Sequence, residues 1–152
     1  MKIKKHLPVI VLSVVSLVLI CDVIYKHYVI QKQIERIYDI YAVTCQSAMD
    51  NIIEYQNTGD EKYYAYLIGD ITTLWYTPLM LDADSDESLR DSTLQIHLGE
   101  CQSMLINHPD ACRENLSILY DALAAFEEQG RYPSANHENR LSQFYYACSG
   151  NL

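Results

Sequence analysis

Apolar residues are distributed along the chain in two ways: one unbroken run near the start, then a series of periodic stripes. From Leu7 to Cys21 the sequence LPVIVLSVVSLVLIC carries no charge and only two serines, and it continues to Tyr25 with Asp22 as its sole interruption. An α-helix needs about 20 apolar residues to cross the hydrocarbon core of a bilayer, at about 1.5 Å of rise each. Residues 7–25 therefore predict a membrane-spanning helix. Pro8 suits its entrance, where a backbone amide would lack a partner anyway.

After Tyr25 the pattern becomes periodic without a break. No proline or glycine occurs between Tyr25 and Thr58. Ile30, Ile34, Ile37, Tyr41, Thr44, Ala48, Ile52 and Tyr55 recur at steps of three and four, the signature of one buried helical face. The span and this first helix are thus expected to form one rod reaching about Asn57, stopped at Asn57-Thr58-Gly59. Asp60 caps a second helix with Tyr64, Leu67, Ile68, Ile71, Leu74 and Trp75 on one side, ended or kinked by Pro78. A third carries Leu94, Leu98, Cys101 and Leu105 and ends near Asn107, because His108 precedes Pro109 and avoids the helical region. Cys112, Leu116, Leu119, Leu123 and Phe126 mark a fourth, terminated by Gly130. Beyond the connector Pro133-Ser-Ala-Asn136, Leu141, Phe144, Tyr145 and Cys148 mark a short fifth. Short connections make successive helices antiparallel neighbours. The expected fold is all-α: a single N-terminal transmembrane helix continuing into an up-down antiparallel bundle of four long helices plus a short fifth.

Charge orients the span. Lys2, Lys4 and Lys5 precede it, and positive flanks stay cytoplasmic. This gives residues 1–6 as a cytoplasmic basic tail, 7–25 as a signal-anchor in the cell membrane, and 26–152 as an extracytoplasmic domain. Tyr25 and Tyr28 fall where an interfacial aromatic belt would sit, and Asp22 is near enough to that interface to reach water. A cleaved signal peptide needs small residues at its cleavage site, and Val18-Leu19-Ile20-Cys21-Asp22-Val23 offers no such pair. Lipidation of Cys21 would want a small residue before it, where Ile20 stands.

Of the chain's 11 Lys and Arg, three precede the span; of its 20 Asp and Glu, only Asp22 lies before residue 26. Residues 26–152 therefore hold 19 acidic against 8 basic side chains. Such acidity opposes binding to nucleic acid, which demands clustered Lys and Arg, and opposes docking on anionic lipid. Tyrosine is abundant, at 13 against 2 phenylalanines, and suits surfaces where the ring packs while the hydroxyl stays wet.

Four cysteines, Cys45, Cys101, Cys112 and Cys148, lie outside the span on or beside apolar stripes. An even count outside the cytosol favours disulfides. Helix heights counted from the turns place Cys101 near Cys112 across the His108 turn, and Cys148 near the level of Cys45. The expected pairs are Cys45 with Cys148 and Cys101 with Cys112; the alternative is four buried thiols acting as small hydrophobes.

Other chemistry finds little purchase. His97 with Cys101, and His108 with Cys112, have a spacing that a tetrahedral metal site could use, but the second pair straddles Pro109. Asp82, Asp84 and Asp86 begin like a calcium loop of the EF-hand type, yet Glu87 and Thr93 stand where it needs glycine and glutamate. Asp84 with Glu87 fits a helix cap instead. Gly69 and Gly99 fall in one layer and predict close approach of the second and third helices. Asn115-Leu-Ser117 matches a glycosylation sequon inside a predicted helix. There is no nucleophile elbow, phosphate-binding glycine loop, His-Glu-x-x-His or Cys-x-x-Cys. No cofactor and no enzymatic activity are expected. The sequence points to an integral membrane protein whose helical domain recognises a protein partner or its own copy; a bundle that senses a small molecule or ion is the alternative.

Overall fold

In the computed structural model the described residues are 3–77, 92–128 and 135–150. All the regular structure among them is α-helical, in six helices: α1 (Ile3–Thr58), α2 (Glu61–Tyr76), α3 (Ser92–Asn107), α4 (Pro109–Glu114), α5 (Leu116–Glu128) and α6 (Ala135–Ser149). The chain divides into two compact units, Met1–Glu35 and Arg36–Leu152.

The first unit is helix alone. Its side chains from Val11 to Tyr28 are all exposed, so no face of the run is sheltered. The helix is long and apolar enough to cross a membrane. Asp22 pairs with Lys26 one turn later at 3.0 Å, an i,i+4 pair that neutralises the only acidic group of the run.

In the second unit the helices bury most of the stripes expected from the sequence, with Tyr55, Ile68, Trp75 and Tyr145 half-buried. Tyr41, Cys45, Ala48 and Ile52 on α1 are buried, as are Leu67, Ile71 and Leu74 on α2 and Leu98, Cys101 and Leu105 on α3. Leu116, Leu119 and Leu123 on α5 and Leu141, Phe144 and Cys148 on α6 complete the core. Burying a side chain of Leu or Phe size contributes about 1.5–3 kcal/mol, so these stripes dominate the stability of the unit.

The helix ends follow local chemistry. Gly59 adopts φ +66° and donates its N–H to Tyr55 O at 2.8 Å, a left-handed C-terminal stop that a side chain would strain. Asp60 then caps α2, its carboxylate accepting from the Lys62 N–H at 3.0 Å. That bond, with the Lys62 side chain at 3.0 Å, holds the Asp60 carboxyl below its ordinary range. His108 opens α4 with Pro109 at its first position.

One element departs from expectation. The expected fourth helix is two, α4 and α5, parted at Asn115. The Asn115 side-chain amide donates to Ala111 O at 2.8 Å, the carbonyl that the Asn115 backbone N–H would take in an unbroken helix. That N–H turns instead to Cys112 O at 3.0 Å, and Ile118 N–H reaches Asn115 O at 3.0 Å. Asparagine competes with its own backbone in this way, and one tightened turn results. Cys112 and Leu116 stay buried on either side, so the stripe survives the break. The amide of the sequon residue is thereby engaged internally.

Side chains tie neighbouring helices together. Asp70 of α2 accepts from Ser47 Oγ at 2.9 Å and from Asn51 Nδ2 at 2.8 Å, both on α1. Tyr64, at the start of α2, donates to Leu105 O near the end of α3 at 3.0 Å, and Gln102 donates to Thr72 Oγ1 at 2.7 Å. Arg113 of α4 reaches Glu61 at 2.7 Å and Asp110 at 2.9 Å while lying over the Tyr64 ring.

The two glycines of α2 and α3 differ in role. A Cβ on Gly99 would meet the Trp75 indole at 3.4 Å, whereas one on Gly69 would meet nothing within 4 Å. Only Gly99 serves the approach of the two helices. Gly69→Ala should therefore raise stability by about 0.5–1 kcal/mol through helix propensity alone. Gly99→Leu should lower it by about 1–3 kcal/mol by displacing Trp75. Chemical denaturation of both variants checks the contrast, and similar shifts for the two would refute it.

Candidate functional site

The most polar feature of the interior joins three helices. Tyr41 of α1 and His137 of α6 are buried, and the Tyr41 hydroxyl lies 2.9 Å from His137 Nε2. His137 Nδ1 lies 2.7 Å from the carbonyl oxygen of Ala122 on α5. A carbonyl only accepts, so Nδ1 carries the proton, Nε2 is the acceptor and the tyrosine donates. Phe126 closes one side, its ring 4.7 Å from that of Tyr41 and 5.7 Å from that of His137. Burial pushes the His137 pKa down and that of Tyr41 well up, so both are neutral at ordinary pH.

The cysteines form a second cluster. No sulfur–sulfur bond joins any of the five, and Cys45, Cys101, Cys112 and Cys148 are all buried. Cys101 Sγ donates to Leu141 O at 3.6 Å, while Cys112 and Cys148 are near neighbours. The pairs expected from helix heights, Cys45 with Cys148 and Cys101 with Cys112, are not bonds here, and Cys148 has both Cys101 and Cys112 as neighbours. The reason lies in where α6 starts. His137 sits level with Tyr41, so Cys148, eleven residues on, lies about 16 Å along the axis, whereas Cys45 lies only about 6 Å from Tyr41. Whichever way the helices run, Cys148 overshoots Cys45. Burial raises the Cys101, Cys112 and Cys148 thiols above their ordinary range. Thiols so held are protonated and weakly nucleophilic.

An open cleft of about 630 Å³ lies beside α2 and α3, lined by Trp75, Gln95, Ile96, Gly99, Gln102 and Ser103. Glu100 at its edge is 3.0 Å from His97 Nδ1. That contact turns His97 to the surface, whereas Cys101 points inward to Leu141. Among the described residues no group of three or more His, Cys, Asp or Glu could hold a metal ion.

Tyr25 and Tyr28 are exposed on α1. Lys4 and Lys5 belong to the first turns of that helix, and Lys2 lies outside the described residues. The same holds for Pro78, the acidic run Asp82–Glu87, Gly130 and Pro133. His137 was not singled out from the sequence, although it stands four residues before Leu141 and continues the Leu141, Phe144, Cys148 stripe by one helical step. Asp70 was overlooked because a lone carboxylate has no pattern of its own.

Comparison with protein-family models, curated proteins and solved structures finds no match to this chain.

Tyr41→Phe should cost about 1–3 kcal/mol, because it leaves the buried Nε2 acceptor without this donor. The histidine also sets a pH dependence. Its folded pKa lies below the ordinary value of 6.5, so below about pH 6.5 the unfolded chain binds a proton that the folded chain refuses. Stability is thus full above that pH and falls as pH drops below it, with a slope approaching about 1.4 kcal/mol per unit. Denaturant titrations at pH 7.5 and 5.5 should show this loss in the native chain and a shallower one in His137→Gln; equal slopes would refute the assignment.

Proposed function

We propose that the chain is a single-pass membrane protein, anchored by residues 7–25 with its N-terminus cytoplasmic. The extracytoplasmic residues 26–152 then form an up-down antiparallel helical bundle that recognises another protein, or its own copy, without catalysis. The observation that carries this reading is the apolar run, whose side chains from Val11 to Tyr28 are all exposed. Twelve large apolar side chains exposed there would in water be a large aggregation liability, and lipid removes it. Three lysines at one end orient the helix, and the Asp22–Lys26 pair at the other lowers the cost of charge near the interface.

Recognition of a protein is supported by the surface of the second unit. Tyr66, Tyr76 and Tyr146 are exposed there, as are Val43, Ile96 and Ile106, and aromatic side chains are favoured at interfaces. The buried polar and sulfur groups described above satisfy one another and offer no reacting centre to solvent. The cleft beside Trp75 favours a second reading, a bundle that senses a small molecule and signals through a partner or dimer.

Alkaline carbonate should leave the chain in the membrane pellet, and protease added to intact cells should digest residues 26–152 while sparing the N-terminus. Recovery of a soluble chain, or protection of the bulk of it, would overturn the anchor or its orientation. Photo-cross-linking in the membrane should give a discrete adduct weakened at least threefold by Tyr66→Ala or Tyr146→Ala. A flat cross-linking result together with thermal stabilisation by a metabolite would favour the sensing bundle.

A further inference from the structure

We infer that Cys112 and Cys148 are the pair oxidised to a structural disulfide, fastening α4 to the last turn of α6. Both thiols are fully buried, the two residues are near neighbours, and α4 packs against α6. The bridge forms without moving either helix to a new neighbour. Cys101 neighbours both residues, but its own sulfur is directed to Leu141 O. The inference rests on the proposed location outside the reducing cytosol.

The oxidant is a disulfide, either a small molecule or a protein exchange catalyst. One thiolate of the pair attacks a sulfur of that disulfide and expels the first of its thiols, leaving a mixed disulfide. The second cysteine attacks the mixed disulfide, releases the second thiol and closes Cys112–Cys148. Two electrons and two protons pass to the oxidant, which leaves as two thiols. Because the site is shut to solvent, exchange takes place while the chain folds, and the closed core then shields the bond from reductants. It would hold the six-residue α4, which Asn115 has separated from α5, and the C-terminal turn of the chain in a single unit.

The full chain, purified from membranes in detergent without reductant, is alkylated, digested and mass-mapped without reduction. The same chain is also reduced, unfolded and refolded in a glutathione redox buffer, which supplies the oxidant whatever the compartment. A linked Cys112–Cys148 peptide in both preparations is the expected result. Its absence from the refolded chain, or linkage of either residue to another cysteine, overturns the pairing. A bond that forms on refolding but is missing from membrane material keeps the pairing and overturns the extracytoplasmic location instead. Reductant should lower the Tm of the native chain by on the order of 10 °C. Cys101→Ala should keep that difference, and the double variant Cys112→Ala/Cys148→Ala should melt alike with and without reductant. A double variant that still responds to reductant would also overturn the pairing.

Discussion

The hydrogen-bonded series from Tyr41 through His137 to the Ala122 carbonyl sets the register of three helices at once. Apolar stripes alone permit helices to slide, since one leucine layer packs nearly as well as the next. A buried imidazole does not permit it. Both ring nitrogens must be served, and sliding α6 by one residue would leave the Ala122 carbonyl and the Tyr41 hydroxyl unanswered in a medium where an unmet polar group costs about 1–3 kcal/mol. Phe126 packs on both rings, so the polar contact and the apolar core fix the same alignment. The placement of Cys148 follows from it.

A second constraint acts at Asn115. By bonding back to Ala111 it shortens one turn and separates α4 from α5 without moving their shared apolar stripe off the core. Arg113 on that short helix then bridges Asp110 and Glu61 and covers Tyr64. The start of α2, the end of α3 and all of α4 are thereby gathered at one place. The exposed ion pairs contribute little in water; the Tyr64 hydroxyl on Leu105 O and the buried Cys112 contribute more, because both are withdrawn from solvent.

Much of the helical content could be read from the sequence, and the reasons are local. Stripes at steps of three and four, Gly59 at a C-terminus, Asp60 as a cap and His108-Pro109 as a boundary each act within a few residues. The stripe residues Leu98, Leu105, Leu119, Leu123, Leu141 and Phe144 are all buried. What escaped depended on longer range or on competition. The break at Asn115 arises from a side chain outbidding its own backbone, which periodicity does not register. The cysteine neighbours depended on the starting height of α6. The helix heights did not register that His137 sits level with Tyr41, a level that carries Cys148 past Cys45.

The interior also bears on the kind of function to be expected. Catalytic groups are commonly held with a pKa near working pH and an open path to substrate. Here the titratable groups of the core are pushed the other way: burial keeps His137 neutral and keeps Tyr41, Cys101, Cys112 and Cys148 protonated. Their polar contacts fix the helices to one another. What the second unit leaves toward solvent is of a different character: Tyr66, Tyr76, Tyr146, Val43, Ile96 and Ile106 are all exposed.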